Sequence, residues 1–300
     1  MTKILITGAN GLLGQKLVSL YDKRGDVHVV ATGKGENRNL PGSYTYHQLD
    51  ITSSDEVFET LLNFNPDVVI NTAAMTHVDQ CELDPESCQK INVEAVSHLI
   101  EACKKIDSFL IHLSTDFIFD GANGPYKEDD SPNPLSKYAA SKLASEHLLI
   151  ESGIKHAIVR TMLVYGVVHD MSRSNIILWV KKSLEESKHI KVVNDQWRTP
   201  TLAEDLAKGC ASIADKKAEG IFHVSGKDML SPYDMAIATA DFFGLNKLLI
   251  EEVDGSIFTQ PAKRPARTGF ILDKAKKELG YEPVSFKEGL AQIKSQLAHV

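Results

Sequence analysis

Short apolar runs alternate along this 300-residue chain with longer segments in which apolar positions recur at helical spacing. Seven of the short runs are rich in Val and Ile and have the length of strands; they cover residues 3–8, 26–32, 45–51, 67–73, 108–115, 156–161 and 221–225. Strands that are apolar almost throughout and separated by helices are typical of a parallel sheet covered on both faces. The pattern therefore predicts an α/β fold with a doubly wound parallel sheet.

Polar residues indicate where two of the helices begin. Ser53 and Glu56 have the spacing of a capping box, in which each side chain bonds the backbone N–H of the other residue. Asp84 followed by Pro85 predicts an N-cap residue and then a proline in the first turn of another helix.

The first strand runs into a glycine-rich turn. Gly8, Gly11 and Gly14 separate this apolar run from a helix-like segment. Glycines are needed where a strand turns sharply into a helix and a pyrophosphate approaches bare backbone, and the helix N-terminus then offers unpaired N–H groups. The turn predicts dinucleotide binding, with Asn10 and Leu12 among the contacts; a structural turn without a ligand is the alternative.

The rhythm of strands and helices changes at about residue 166. An amphipathic stretch covers residues 174–187, and a segment rich in Pro and Arg covers residues 259–268. We expect a Rossmann-type domain at residues 1–165 and a smaller, mainly substrate-binding domain at residues 166–300, because the chain exceeds the usual size of one domain. The strand at residues 221–225 is expected to return to the main sheet.

Basic residues follow the second predicted strand. An acidic residue at this point would bind the ribose 2′-OH of NAD, whereas the chain has Lys34 and Arg38, which suit a 2′-phosphate. We therefore predict NADPH as cofactor, with NADH as the alternative. Glu36 lies between the two cations, and a solvated basic loop would have the same composition.

Tyr138 and Lys142 lie four positions apart in a helical segment, so they share one helix face. An unperturbed phenol has a pKa near ~10, and a neighbouring cation favours its ionised form. The pair is a candidate for acid–base chemistry. A solvated helix face is the structural alternative.

Composition favours a soluble enzyme. The formal charge is −7 with scattered Lys and Arg, which does not favour nucleic-acid binding. Four cysteines and eleven histidines show no metal-ligand spacing, so no metal site is predicted. The sequence shows no signal peptide and no long apolar run, so we expect a cytoplasmic protein without membrane association; a homodimer is one assembly that the sequence permits.

The glycine turn, the Asn-Thr-Ala-Ala segment at 71–74, the Ser-Thr-Asp segment at 114–116 and Tyr138-x-x-x-Lys142 resemble, in this order, the extended short-chain dehydrogenases/reductases. Residues 114–146 are most similar to the dTDP-4-dehydrorhamnose reductase family, and the similarity runs from end to end. The resemblance implies reduction of the C4 ketone of a nucleotide-activated 4-keto-6-deoxy sugar, with dTDP-4-dehydrorhamnose giving dTDP-rhamnose. The alternatives are another epimerase or reductase of the extended family, and a non-catalytic binder like the methionine adenosyltransferase regulatory subunit.

The resemblance assigns catalytic roles to three residues. Tyr138 is expected to protonate the carbonyl oxygen, Lys142 to lower the phenol pKa and bind the nicotinamide ribose, and Thr115 to hold the carbonyl oxygen. Ser114 is the neighbouring candidate, but strand alternation sends the two hydroxyls to opposite faces. Related dehydratases carry a glutamate where this chain has Phe117, which cannot exchange a proton, so dehydration is disfavoured.

The same resemblance supplies the binding residues. Further cofactor contacts are expected from Asp50, Ile51, Ala73 and Ala74. Substrate contacts are expected from Asp116, Asn175, Gln196 and Arg264. The chain departs from the family at Trp197 and Arg198, where a glycine and a small residue are common, and this leaves open which nucleotide and which sugar are bound.

Overall fold

The computed structural model describes residues 1–170 and 174–298 and contains one seven-stranded parallel sheet. Its strands are β1 (Thr2–Thr7), β2 (Val27–Gly33), β3 (Thr45–Gln48), β4 (Val68–Asn71), β5 (Phe109–Thr115), β6 (His156–Thr161) and β10 (Gly220–His223). The order across the sheet is β10-β6-β5-β4-β1-β2-β3. All seven predicted strands are confirmed. The third is shorter than its apolar run because the chain turns at Asp50, whose carbonyl accepts a hydrogen bond from Ser53 N–H.

The strand order reverses between β1 and β4. In register, Ile4 of β1 pairs with Val29 of β2 on one side and with Val68 of β4 on the other. Chain connections leave this point in opposite directions, so a crevice opens at the carboxyl ends of the two strands. Open parallel sheets bind ligands at such switch points.

Helices cover both faces of the sheet. They are α1 (Leu12–Asp22), α2 (Ser54–Phe64), α3 (Val78–Leu83), α4 (Pro85–Gln89), α5 (Ala95–Ile106), α6 (Lys137–Ser152) and α8 (Ala203–Lys216). One face packs around Leu17 of α1 and Leu206 of α8. The other packs around Leu61 of α2 and Leu99 of α5.

The predicted helix starts are confirmed with one difference. Ser53 accepts a hydrogen bond from Glu56 N–H, and Asp84 accepts one from Ser87 N–H ahead of Pro85. The capping box at Ser53 is incomplete, however, because the Glu56 carboxylate accepts the N–H of Asp50 at 3.0 Å instead of that of Ser53.

The remaining elements pack beside the carboxyl edge of the sheet. They are β7 (Val164–Tyr165), β8 (Ile190–Val193), β9 (Thr201–Leu202), β11 (Ile250–Val253), α7 (Ile176–Glu185), α9 (Pro232–Phe243) and α10 (Phe286–Leu297). Their two apolar clusters centre on Ile177 and Val180 of α7. The predicted boundary at residue 165 stays a prediction, while α8 and β10, which follow it in the chain, belong to the large sheet layer. Within the described part of the chain, no helix has the length and apolar character needed to cross a bilayer.

Candidate active site

A cleft of about 950 Å³ lies at the carboxyl ends of β1, β4 and β5 and extends along α7. Elements from both halves of the chain line it. At the sheet side lie the glycine turn and the start of α6; on the other side lie Asn175, Trp179, Gln196, Phe258 and Arg264.

The glycine turn lies at one end of the cleft. Gly8 has φ +67°, and a Cβ there would lie 2.7 Å from the backbone N of Ala73. A Cβ at Gly14 would overlap the carbonyl oxygen of Gly8. Gly11 is the N-cap of α1, and no side chain among the described residues caps the N–H groups of its first turn. Bare backbone, a tight turn and orphan N–H groups fit a dinucleotide pyrophosphate.

Asn10 ties this turn to the loop that follows β2. Its Nδ2 donates to the Glu36 carbonyl at 2.8 Å and lies 3.0 Å from Tyr46 Oη. Its Oδ1 accepts the N–H of Arg38 at 2.9 Å. The side chain of Asn10 therefore holds the loop that carries the predicted cofactor-selecting cations, and Leu12 lines the cleft beside it.

Both of those cations have acidic partners. Lys34 is 81% exposed and its Nζ lies 2.7 Å from an Asp50 carboxylate oxygen, while Arg38 Nε lies 3.7 Å from Asp170. The Lys34 ammonium lowers the pKa of Asp50 to about 2. Ile51 is buried next to Asp50. A cofactor phosphate at this loop would compete with carboxylates for the two cations.

Strand alternation separates Ser114 from Thr115 as expected. Ser114 Oγ donates to the buried Glu146 carboxylate at 2.5 Å, on the side of the sheet where Glu146 pairs with Arg160. Thr115 and Tyr138 both line the cleft, and the Thr115 hydroxyl lowers the pKa of the Tyr138 phenol. The structure therefore brings the threonine, and not the serine, to the phenol.

Tyr138 and Lys142 lie in the first turns of α6, where Ser136 is the N-cap. The solvated-face alternative is wrong, because Tyr138 is 8% and Lys142 2% exposed. Burial raises the pKa of Tyr138, and the neighbouring Thr115 hydroxyl lowers it. Burial also lowers the pKa of Lys142 to about 8.

The Lys142 amine contacts His112, which the sequence did not single out. Lys142 Nζ lies 3.1 Å from His112 Nε2, and the same ring nitrogen lies 3.0 Å from Ser145 Oγ. His112 Nδ1 lies 3.0 Å from Asn71 Nδ2. Burial and the Lys142 charge keep the pKa of His112 well below its usual value, so the ring is neutral. That Lys142 lowers the Tyr138 pKa stays a prediction; in the protein alone burial of the phenol outweighs the opposing effects, and its pKa is raised.

The predicted sugar ligand Asp116 is engaged by protein groups. Its Oδ1 accepts from Thr115 Oγ1 at 3.2 Å, and its Oδ2 accepts from Thr268 Oγ1 and lies 3.3 Å from Arg198 Nε. Burial raises the pKa of Asp116, and Arg198 lowers it. The sugar-binding role of Asp116 stays a prediction.

Asp116 lines the cleft, as do the other three predicted substrate residues. Asn175 caps α7 and donates to the Gly166 carbonyl at 2.8 Å, Gln196 lies at the far end, and Arg264 pairs with Asp79 at 2.7 Å. Arg198 is buried, and Trp197 is absent from the described lining residues. Sequence reasoning missed Trp179 and Phe258, which are 41% and 39% exposed in the cleft. The sequence offered one signal for this surface, Trp179, a large apolar residue that is exposed on the amphipathic helix α7.

Among residues 1–170 and 174–298, no three His, Cys, Asp or Glu side chains are grouped as metal ligands.

Comparison with known protein families and sequences gives three similarities. A family model described as the RmlD substrate binding domain matches residues 1–299. A dTDP-4-dehydrorhamnose reductase of Aggregatibacter actinomycetemcomitans is 34% identical over 98% of this chain and 99% of its own length. The methionine adenosyltransferase 2 subunit beta of Bos taurus is 34% identical over 81% of this chain and 72% of its own length.

Solved structures show the same similarity. A dTDP-4-dehydrorhamnose reductase of Clostridium acetobutylicum superposes with a TM-score of 0.87 at 31% identity, covering 99% of this chain and all of the other. The dTDP-4-dehydrorhamnose reductase of Bacillus anthracis, solved in complex with NADP, has a TM-score of 0.83 at 26% identity, with 99% of this chain and 100% of that chain covered.

Proposed function

The chain belongs to the RmlD substrate-binding domain family, and from this premise we propose that it reduces the C4 ketone of a nucleotide-activated 4-keto-6-deoxy sugar. It is an NAD(P)-dependent oxidoreductase of the sugar-nucleotide reductase and epimerase group. The proposed substrate is dTDP-4-dehydrorhamnose and the product dTDP-rhamnose. One observation carries the proposal: the hydroxyls of Thr115 and Tyr138 line the same cleft, together with Phe117, a side chain that cannot exchange a proton.

Tyr138 is proposed as the proton donor. Because burial raises its pKa, the phenol is protonated at neutral pH, which is the state that a general acid needs. Thr115 would hold the carbonyl oxygen beside that phenol. When bound, a reduced nicotinamide supplies the hydride to the carbonyl carbon.

Lys142 is proposed to act as a buried cation below Tyr138. With a pKa of about 8 it is mostly protonated at pH 7, so it favours negative charge on the phenol once the proton has been given away. It would also bind the nicotinamide ribose. Its contact with His112 holds the amine at the base of the cleft.

The cofactor is proposed to lie along the glycine turn. Gly8, Asn10, Gly11 and Leu12 would hold the pyrophosphate, Asp50 and Ile51 the adenine, and Ala73, Ala74, Tyr138 and Lys142 the nicotinamide end. Lys34 and Arg38 support NADPH, since a 2′-phosphate could replace their carboxylate partners. Comparing kcat/KM for NADPH and NADH tests this, and a clear NADH preference would contradict it.

Substrate contacts are proposed from the far side of the cleft. Asn175 and Gln196 would face the nucleotide sugar, and the Arg264 guanidinium suits bidentate binding of a diphosphate oxygen pair. Binding would require Arg264 to exchange Asp79 for phosphate.

A second candidate is a regulatory binder, which the similarity to a methionine adenosyltransferase subunit supports. An epimerase with permanently bound NAD is a third. Spectroscopy of the purified protein distinguishes the third, because tightly held stoichiometric NAD favours epimerisation and an exchangeable cofactor favours reduction.

The deciding experiment is NADPH oxidation with a panel of 4-keto-6-deoxy sugars that differ in the nucleotide. The matching 4-hydroxy sugars serve as controls, because they have no ketone to reduce. We expect turnover with the dTDP-4-keto sugar and none with the controls. Absence of turnover with every keto sugar would refute the reductase and favour the binder.

A further inference from the structure

A buried ion pair closes the inner end of the cleft. Arg198 is 5% and Asp116 2% exposed, and Arg198 Nε lies 3.3 Å from Asp116 Oδ2. Moving two charges out of water is costly unless their remaining hydrogen-bonding groups are satisfied. The other partners of each side chain therefore show what the pair holds in place.

Arg198 binds the Pro- and Arg-rich segment on the substrate side. Its guanidinium donates to the carbonyls of Pro265 at 2.6 Å, Ala266 at 3.2 Å and Trp197 at 2.8 Å. Backbone bonds reinforce the attachment: Trp197 N–H donates to Ala266 O, and Thr268 N–H donates to Trp197 O. Arg198 thus fixes residues 265–268 at one side of the cleft.

Asp116 binds the catalytic side. Its carboxylate accepts a hydrogen bond from Thr115 Oγ1 and another from Thr268 Oγ1. One carboxylate therefore bonds the proposed carbonyl-holding hydroxyl and the end of the substrate-side segment at once.

The pair also reaches the proton donor through an aromatic side chain. The Arg198 guanidinium carbon lies 5.5 Å from the centre of the Phe117 ring, and this ring meets the Tyr138 ring edge-on at 6.0 Å. Arg198, Phe117 and Tyr138 therefore form a continuous row of contacts that ends in the cleft.

We propose that Arg198 and Asp116 are positioning residues that fasten residues 265–268 to the carboxyl end of β5 and so hold Thr115 and Tyr138 in their relative geometry. The inference rests on the proposed reductase function. It gives a role to the arginine that departs from the family pattern: a small residue at position 198 could make none of these side-chain bonds.

Thr268→Val is the gentlest test, because valine keeps the shape of threonine and removes only the bond to Asp116. We expect kcat to fall about 10-fold, since small misplacement of reacting groups is costly, while KM for NADPH changes less than about twofold. Thr239→Val is the matched control, as this buried threonine bonds only within α9. An unchanged kcat in Thr268→Val would overturn the proposal.

The ion pair itself is tested by a double-mutant cycle with Arg198→Met and Asp116→Asn, assayed well below the unfolding temperature. Arg198→Met alone leaves a buried unpaired carboxylate, so we expect a kcat loss of about 100-fold; adding Asp116→Asn should restore part of it. Additive losses, or normal kcat in folded Arg198→Met, would contradict positioning. Arg198→Lys serves where Arg198→Met does not fold, and it too should lose kcat because an ammonium cannot reach all the carbonyls.

Amide hydrogen exchange separates this inference from the proposed function. In Arg198→Lys we expect faster exchange both in residues 265–268 and at Phe117, whose N–H donates to Thr115 Oγ1 at 3.3 Å. Faster exchange confined to residues 265–268 would overturn the coupling. This readout needs no substrate, so it stands even if the wild-type protein reduces none of the sugars tested.

Discussion

At the scale of single residues, burial controls the chemistry of the cleft. It shifts the two functional groups of α6 in opposite directions, raising the pKa of the Tyr138 phenol and lowering that of the Lys142 amine. Both shifts favour neutral forms, so the phenol keeps its proton at neutral pH and the amine carries a charge that the fold opposes.

Tyr138→Phe should remove the proton and keep the ring. We expect kcat to fall by about 10²–10⁴, the usual contribution of a general acid, with NADPH affinity retained. Steady-state assays and cofactor titration measure the two effects. Tyr21→Phe is the control, because this buried phenol has no hydrogen-bond partner among the described residues. Near-normal turnover of Tyr138→Phe would exclude it as the proton donor.

Lys142→Met should stabilise the cofactor-free protein while abolishing turnover. A folded pKa of about 8 lies below the ordinary lysine value of 10.5, so at pH 7 the buried charge costs roughly 3 kcal/mol. At pH values between these two pKa values, the unfolded chain holds a proton that the folded protein has lost, so wild-type stability rises with pH. In urea unfolding, the variant should therefore exceed the wild type in unfolding free energy by less at pH 10 than at pH 7. A stability difference that does not change with pH would contradict an origin in the Lys142 charge.

At the scale of elements, the turn between β1 and α1 is the most tightly built part of the site. Gly8 adopts a positive φ beside Ala73, and Gly14 lies against the Gly8 carbonyl. The turn, β4 and α1 therefore fit together only if both positions lack a side chain.

Gly14→Ala should disturb this packing. We expect a loss of stability of about 1–3 kcal/mol and weaker NADPH binding, because the turn must move to admit the methyl group. Gly25→Ala is the matched control, since nothing lies within 4 Å of its added Cβ. Thermal unfolding measures the loss of stability, and fluorescence titration measures NADPH binding. Equal stability and equal NADPH affinity in the two variants would argue against a close-packed turn.

The elements were the most predictable level of this protein. Buried parallel strands carry continuous apolar runs, and caps such as Ser53 and Asp84 act over three residues, so local sequence contains both signals. His112 and Arg198 were not assigned roles because their partners lie far away in sequence: 30 residues for Lys142 and 67 for Pro265. The order of the motifs, which matches that of the family, identified Thr115, Tyr138 and Lys142 as catalytic candidates. Helix and strand periodicity alone would not have identified them.

At the scale of the whole molecule, the chain passes between the two halves more than once. After β6 it leaves the sheet, returns to form α8 and β10, and leaves again. The α8 residues Leu206 and Ile213 belong to the same core cluster as Leu17 of α1. The substrate side is consequently built from separate stretches of sequence.

A fragment of residues 1–165 should not fold cooperatively. It lacks α8 and β10, so the apolar face of α1 and the edge of β6 would be exposed to water. We expect calorimetry of the fragment to show no sharp transition, in contrast to the full chain, and co-expression with residues 166–300 to restore one. A cooperative transition in the isolated fragment would show that α8 and β10 are dispensable.

The return of β10 to the sheet has a consequence for altering which sugar the protein accepts. A chimaera that exchanges everything after residue 165 with a relative would also replace an edge strand and a core helix, and so mix two incompatible interiors. Grafting residues 166–202, 226–269 and 282–298, and leaving untouched residues 203–225 and the stretch 270–281 that supplies Phe270, Leu272 and Tyr281 to the sheet core, would transfer the recognition surface on an intact scaffold. Specificity in this architecture is thus exchangeable, but only as three inserts moved at the same time.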